Sequence, residues 1–135
     1  MRIGVAQLNA TVGDLDGNLA LAIDAYEQLV GQGVDLVAYP ELFLCGYPPR
    51  DLLLKTRFVS ELAERLNAFA EQTGPTPAVI GYVEKSGKDA GRPFHNAVAW
   101  CVEGKVAHIA RKRLLPTYDV FDEARYFEPG EDSLI

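Results

Sequence analysis

Three stretches of the chain carry side chains able to do chemistry. Tyr39-Pro40-Glu41-Leu42 sets a carboxylate directly after a short apolar run that reads as a strand. In α/β sheets ligands settle beyond the carboxyl ends of the strands, so Glu41 is placed to meet one and to serve there as a general base. It equally fits the description of a solvated turn residue, and position alone does not choose. Arg111-Lys112-Arg113-Leu114-Leu115-Pro116 sets three cations at the end of another strand. Alternation turns Lys112 to the side opposite Arg111 and Arg113. That suits an inward ammonium between solvated arginines, or a plain surface basic cluster. An inward ammonium near Glu41 would steady a developing oxyanion, the charge that builds up in acyl transfer. Residues 117–127 are dense in aromatic and acidic side chains, as in a loop that packs on a ligand or a flap that closes a core.

Cys45 and Cys101 are the only thiols. Cys101 lies among Ala99, Trp100 and Val102 and reads as strand core, whereas Cys45 sits in the loop after Glu41, where packing is favoured and reactivity stays open. His95 and His108 fall in strands with no second ligand at metal spacing, so no metal site is expected. No Ser/His/Asp order and no glycine-rich phosphate loop is present. Without a CxxC or a Cys/His cluster, neither a zinc site nor a disulfide framework is expected, and two free thiols fit a reducing cytosol.

These groups need a scaffold. Residues 3–8 form an apolar run, and Leu19, Ala22, Ile23, Tyr26, Leu29 and Val30 recur at helical spacing, with Asp16 or Asn18 as the cap and Gly31 or Gly33 as the stop. Residues 35–39 are a second strand, which predicts a βαβ unit with parallel strands. Gly46, Pro48 and Pro49 keep residues 41–55 irregular. A second helix is predicted over residues 58–72, with Phe58, Leu62, Leu66 and Phe69 along one side. Strands follow at residues 78–83, 94–102 and 105–111, the last two joined by a tight Glu103-Gly104 turn. Parallel sheets need both faces covered, and two helices cover one. The other face is expected to be buried by further chain, a second copy or another layer, so this reads as the front part of a larger domain.

The chain has 135 residues, 48% of them hydrophobic and 24% charged, which suits one globular domain or part of one. With 13 Lys+Arg against 19 Asp+Glu, the net charge of −6 disfavours nucleic acid as a partner. No apolar stretch approaches the ~20 residues of a membrane span, and the amino-terminal run does not read as a signal peptide.

Taken together, Pro40-Glu41-Leu42, Gly46-Tyr47 and Arg111-Lys112 with Leu115-Pro116 resemble the carbon–nitrogen hydrolase (nitrilase) superfamily. Gly46-Tyr47-Pro48-Pro49-Arg50-Asp51-Leu52-Leu53 and the run from Lys112 to Glu123 with Arg125-Tyr126-Phe127 resemble the subgroup that forms the glutaminase domain of glutamine-dependent NAD⁺ synthetases. So does the opening Ile3-Gly4-Val5-Ala6-Gln7-Leu8-Asn9 with Val12-Gly13-Asp14 and Asn18. The resemblance implies an αββα sandwich and a Glu–Lys–Cys triad that hydrolyses the side-chain amide of L-glutamine. Glu41 matches the base, Lys112 the lysine and Glu123 a second, supporting glutamate, while Tyr47, Tyr118 and Phe121 match positions lining the glutamine pocket. The family's nucleophilic cysteine follows a later strand in a Cys-Glu-Asp type motif, which residues 1–135 lack. Residues 1–135 are therefore expected to be the front portion of the glutaminase domain, inactive alone, with the rest of that domain and the synthetase domain elsewhere in the polypeptide. ATP with Mg and nicotinic acid adenine dinucleotide belong to that second domain. The cysteine usage points to a cytoplasmic protein, and the uncovered apolar sheet face makes a homo-oligomer expected. The alternatives are a free-standing amidase or ureido-hydrolase of the same superfamily, and a non-catalytic sandwich module.

Overall fold

A computed structural model describes residues 1–87, 91–119 and 121–131. The elements run β1 (Ile3–Val5), α1 (Leu15–Gly31), β2 (Leu36–Ala38), α2 (Phe58–Glu71), β3 (Ala78–Lys85), β4 (Phe94–Val102) and β5 (Lys105–Arg111). Two short 3-10 turns, Arg50–Leu54 and Glu123–Arg125, interrupt the long connections. The strands form one sheet in the order β1-β2-β3-β4-β5. The first three are parallel and β3-β4-β5 antiparallel, as the βαβ unit and the hairpin signal required.

Local chemistry explains where the elements stop. β1 ends at Val5, earlier than the apolar run to residue 8 suggests, because Gln7 N bonds Val5 O and Leu8 N bonds Ala6 O, two consecutive three-residue turns that curl the chain out of the sheet. α1 is capped by Asp14, whose Oδ1 accepts from Gly17 N at 3.0 Å, in place of Asp16 or Asn18. Its stop is Gly33, at φ +74°, one of the two glycines expected there. The β4–β5 hairpin turns through Glu103 and Gly104, both at positive φ (49° and 77°), the requirement of a tight type I′ turn. Glu103 N and Gly104 N then bond Gly74 O and Thr73 O, fastening the turn to the end of α2.

Both helices lie on one face of the sheet. Phe58, Leu62, Leu66 and Phe69 of α2 are buried, as their spacing predicted. They close a core with Ala22, Tyr26, Val37, Ala78, Ile80, Ala99 and Cys101. Burying each large side chain of this kind contributes about 1.5–3 kcal/mol. The opposite face stays partly open, with Val5 66% and Ile3 48% exposed. Beside β3 the chain crosses that face. A Cβ on Gly81 would sit 2.3 Å from Leu42 N and 2.7 Å from Pro40 O, so a side chain there would push out the segment that carries Glu41. Among the described residues no helix is long and apolar enough to cross a membrane.

Candidate active site

The segment after β2 aims Glu41. Pro40 ends the strand, and Leu42, Phe43 and Leu44 are buried almost completely. Leu42 takes a left-handed φ of 49°, and the turn closes with Cys45 N on Leu42 O at 3.1 Å and Gly46 N on Phe43 O at 3.3 Å. Leu44 N bonds Gly81 O at 3.2 Å, tying the turn to β3. From behind, buried Asn18 accepts from Thr11 N and donates to Thr11 O and Leu44 O, joining the loop before α1 to the loop that bears Glu41. With residues 42–46 packed inward, Glu41 is left half open to solvent, its side chain 46% exposed.

Lys112 lies one residue beyond β5, where its backbone N–H still donates to Asn96 O at 2.8 Å and its carbonyl accepts from Gly130 N at 2.9 Å. Alternation holds as expected. Arg111 turns to the other side and pairs with Glu84, its Nη2 donating at 2.8 Å, so it is a paired group and not simply solvated. Arg113 is exposed. Lys112 Nζ donates to Glu41 Oε1 at 2.7 Å and lies 3.1 Å from both oxygens of Glu123. Glu123 comes from the 3-10 turn Glu123–Arg125 and is buried, its side chain 5% exposed. Tyr47 OH donates to Glu123 Oε1 at 3.0 Å. Glu41, Lys112 and Glu123, far apart in the chain, therefore converge on one spot.

The structure adds a residue that the sequence reading missed. Asn96 of β4 donates through Nδ2 to Glu41 Oε1 at 2.6 Å and to Glu123 Oε2 at 3.3 Å. One signal was available: a polar residue inside an otherwise apolar strand, on the face turned away from the helices.

The electrostatics separate the roles. Burial pulls the Lys112 ammonium down, but hydrogen bonds and attraction from Glu41 and Glu123 outweigh it, and the net shift is upward. Lys112 is thus a firm cation at neutral pH. Burial and the hydrogen bond to Glu123 push the Tyr47 hydroxyl upward too, keeping it a donor. The thiols point the other way. Cys45 is fully buried, its Sγ donates to Leu42 O at 3.4 Å, and burial pushes it up to about 12. Cys101, equally enclosed, is also raised to about 12 by burial. Neither can offer a thiolate at neutral pH, which closes the question left open for Cys45. Buried His95 bonds Glu128 O through Nδ1 at 2.8 Å, and His108 is exposed. Among the described residues no group of three His, Cys, Asp or Glu is placed to hold a metal ion.

Two concavities flank the cluster. One of about 350 Å³ lies on the helix-free face and is lined by Glu41, Gly81, Asn96, Val98 and Lys112. The other, about 270 Å³, is lined by Tyr47, Pro48, Phe121, Glu123, Arg125 and Tyr126. Tyr47 and Phe121 face each other across 6.3 Å, and Tyr118 packs edge-on to Phe121 at 5.8 Å. Tyr118 is 69% exposed and lines neither of these cavities, sitting instead beside Lys112 in a shallow depression. Glu123 and Phe127 of the aromatic loop close inward, as a flap that closes a core would, while Tyr118 faces out. A small amide-bearing ligand could meet a base, a fixed cation and aromatic walls within this region.

Comparison with known proteins comes to the same place. The family description Carbon-nitrogen hydrolase matches residues 2–135. The chain is 44% identical over 138 residues to a glutamine-dependent NAD(+) synthetase of Thermotoga maritima, covering all of this chain and 23% of that protein. Its structure superimposes on a glutamine-dependent NAD⁺ synthetase of Acinetobacter baumannii with a TM-score of 0.89 at 32% identity, over 98% of this chain and 24% of that one. An amidase from Nesterenkonia sp. matches with a TM-score of 0.75 at 29% identity, over 98% of this chain and 49% of that one. The chain thus spans about a quarter of the length of the synthetases it matches.

Proposed function

The chain belongs to the carbon–nitrogen hydrolase family, and on that footing we propose that it forms part of a glutaminase that releases ammonia from L-glutamine. Glu41 is the general base, Lys112 the oxyanion-stabilising cation and Glu123 the carboxylate that holds Lys112. The observation that carries this reading is Lys112 Nζ seated between Glu41 at 2.7 Å and Glu123 at 3.1 Å. A cation pinned by two carboxylates cannot serve as the base, and of the two carboxylates Glu41 is the one open to a substrate.

The nucleophile is a cysteine outside residues 1–135, since both thiols within them are buried and protonated. As its sulfur attacks the carboxamide carbon, Glu41 takes the thiol proton. Lys112 and a backbone N–H then steady the oxyanion, each such donor contributing roughly 3–4 kcal/mol. Glu41 returns the proton to the leaving nitrogen, ammonia departs, and water opens the thioester to glutamate. Tyr47 and Phe121 line the path of the amino acid, and Tyr118, packed edge-on to Phe121, stands outside it at the rim. Residues 1–135 alone release no ammonia.

The likeness to NAD⁺ synthetases supports a second step elsewhere in the same polypeptide. There, ATP with Mg activates nicotinic acid adenine dinucleotide and the ammonia converts it to NAD⁺. The rest of that polypeptide covers the open face of the sheet, with a homo-oligomer as the other occupant. Two free thiols fit a reducing cytosol and support a cytoplasmic location.

The test is ammonia release from L-glutamine by the full-length protein. Glu41→Gln lowers kcat about 10²–10⁴-fold and Lys112→Ala about 10²–10³-fold. Rates above a third of wild type in both would remove the reading. The fold match to an amidase favours one rival, amide hydrolysis without ATP chemistry. Formation of NAD⁺ from glutamine, ATP and the dinucleotide decides against that rival.

A further inference from the structure

We propose that Asn96 is a positioning residue for the amide hydrolysis, a neutral clamp that holds Glu41 and Glu123 in place around Lys112. The proposal rests on the reading above and extends it to a residue that reading does not use. Asn96 is buried, 4% exposed, on the helix-free face of β4. Both acceptors before its amide are carboxylate oxygens, so the nitrogen must face them, and its two N–H bonds serve one carboxylate each. Hydrogen bonds to ionised acceptors are about twice as strong as neutral ones. The main chain of the same residue accepts from Lys112 N at 2.8 Å. One strand position therefore fixes the base, its supporting carboxylate and the backbone of the cation.

Neutrality is the second half of the argument. The cluster already holds two carboxylates against one ammonium. A further cation would compete with Lys112 for Glu41, and a further anion would repel both glutamates. An amide donates to both without altering the charge. Without the clamp, Glu41 keeps only Lys112 among the described residues and is free to swing toward solvent, and about 1 Å of misplacement costs on the order of 10²-fold in rate.

The charged and titratable groups that face this position are Glu41 after β2, Tyr47 in the following loop, Glu123 in its 3-10 turn, and Lys112 just after β5; Arg111 turns to the opposite face, where it pairs with Glu84 of β3. In the full-length enzyme Asn96→Asp keeps the shape but replaces a donor by a third carboxylate. Its kcat/KM at neutral pH should fall about 100-fold, and the acid limb of its pH profile should move up by about a unit or more, because like charges in contact hold a proton more tightly. Asn96→Ala should lower kcat about 10- to 100-fold with KM within about threefold of wild type. Rates are expressed per folded molecule, measured by circular dichroism. The proposal is overturned if both variants keep kcat within threefold and Asn96→Asp leaves the acid limb in place while Glu41→Gln abolishes turnover. A loss of rate explained wholly by loss of folded protein overturns it as well. If Glu41→Gln itself leaves ammonia release intact, the amide-hydrolase reading falls and the clamp falls with it.

Discussion

Replacing Lys112 by Met keeps the length of the side chain and deletes its charge, and the site geometry sets what that should do to stability. The ion pair with Glu41 is half open to solvent and contributes about 0–1 kcal/mol. The pair with Glu123 is different, because the carboxylate is buried and loses its counter-charge. Stripping one partner from a fully buried pair costs about 3–5 kcal/mol. Here Tyr47 and Asn96 still donate to Glu123, and Lys112 is itself 30% exposed, which brings the whole loss to about 2–3 kcal/mol. With a urea m-value of about 1–3 kcal/mol/M, the unfolding midpoint at pH 7 drops by about 0.7–3 M. The pH dependence carries a sign. Lys112 is held above its ordinary value in the folded protein, so its contribution is complete below about pH 10.4 and fades as the pH rises through the folded value. The gap between wild type and Lys112→Met should therefore stay constant from neutral to moderately alkaline pH and close above that range. Pairing with Glu123→Gln should recover about 1–2 kcal/mol in a double-mutant cycle, as expected for groups in direct contact. A midpoint shift below about 0.3 M, or a gap that widens in alkali, would refute the assignment of Lys112 as the counter-charge of buried Glu123.

Two further outcomes follow from other parts of the chain. Gly81→Ala puts a methyl 2.3 Å from Leu42 N, so it should destabilise by about 1–3 kcal/mol and lower Tm by about 3 °C or more, read by calorimetry; a Tm within about 1 °C of wild type would show that the Glu41 segment does not press on β3. The thiols, both pushed up to about 12, should resist a disulfide reagent at pH 8 in the native protein and react once urea exposes them; rapid native labelling of Cys45 would contradict its enclosure.

Much of the fold was legible because its signals are local. The spacing of Phe58, Leu62, Leu66 and Phe69 is that of a single helix face, and Gly104 between two apolar runs marks a tight turn by its tolerance of positive φ. The inward turn of Lys112 needed only the two-residue period of a strand. Where the reading slipped, nearby residues competed on equal terms. Asp14, Asp16 and Asn18 are all good caps, and what separates them is that Asn18 is drawn inward to hold Thr11 and Leu44. β1 stops early because its chain bonds to itself, an outcome that composition does not encode.

The side chains of the site were readable one at a time as types with chemical capacity: a carboxylate after a strand, a lysine turned against its neighbours, a glutamate in an aromatic loop. Their meeting was not. Asn96 reaches a partner 55 positions away and Lys112 one 71 away. Those distances collapse only because β4 lies between β3 and β5 and because a glycine at position 81 lets the Glu41 turn lie across the sheet. Local preference governs dihedral angles and periods, residue by residue. Which donors face which acceptors depends on strand order and register, and these are settled by how the whole sheet buries its apolar side.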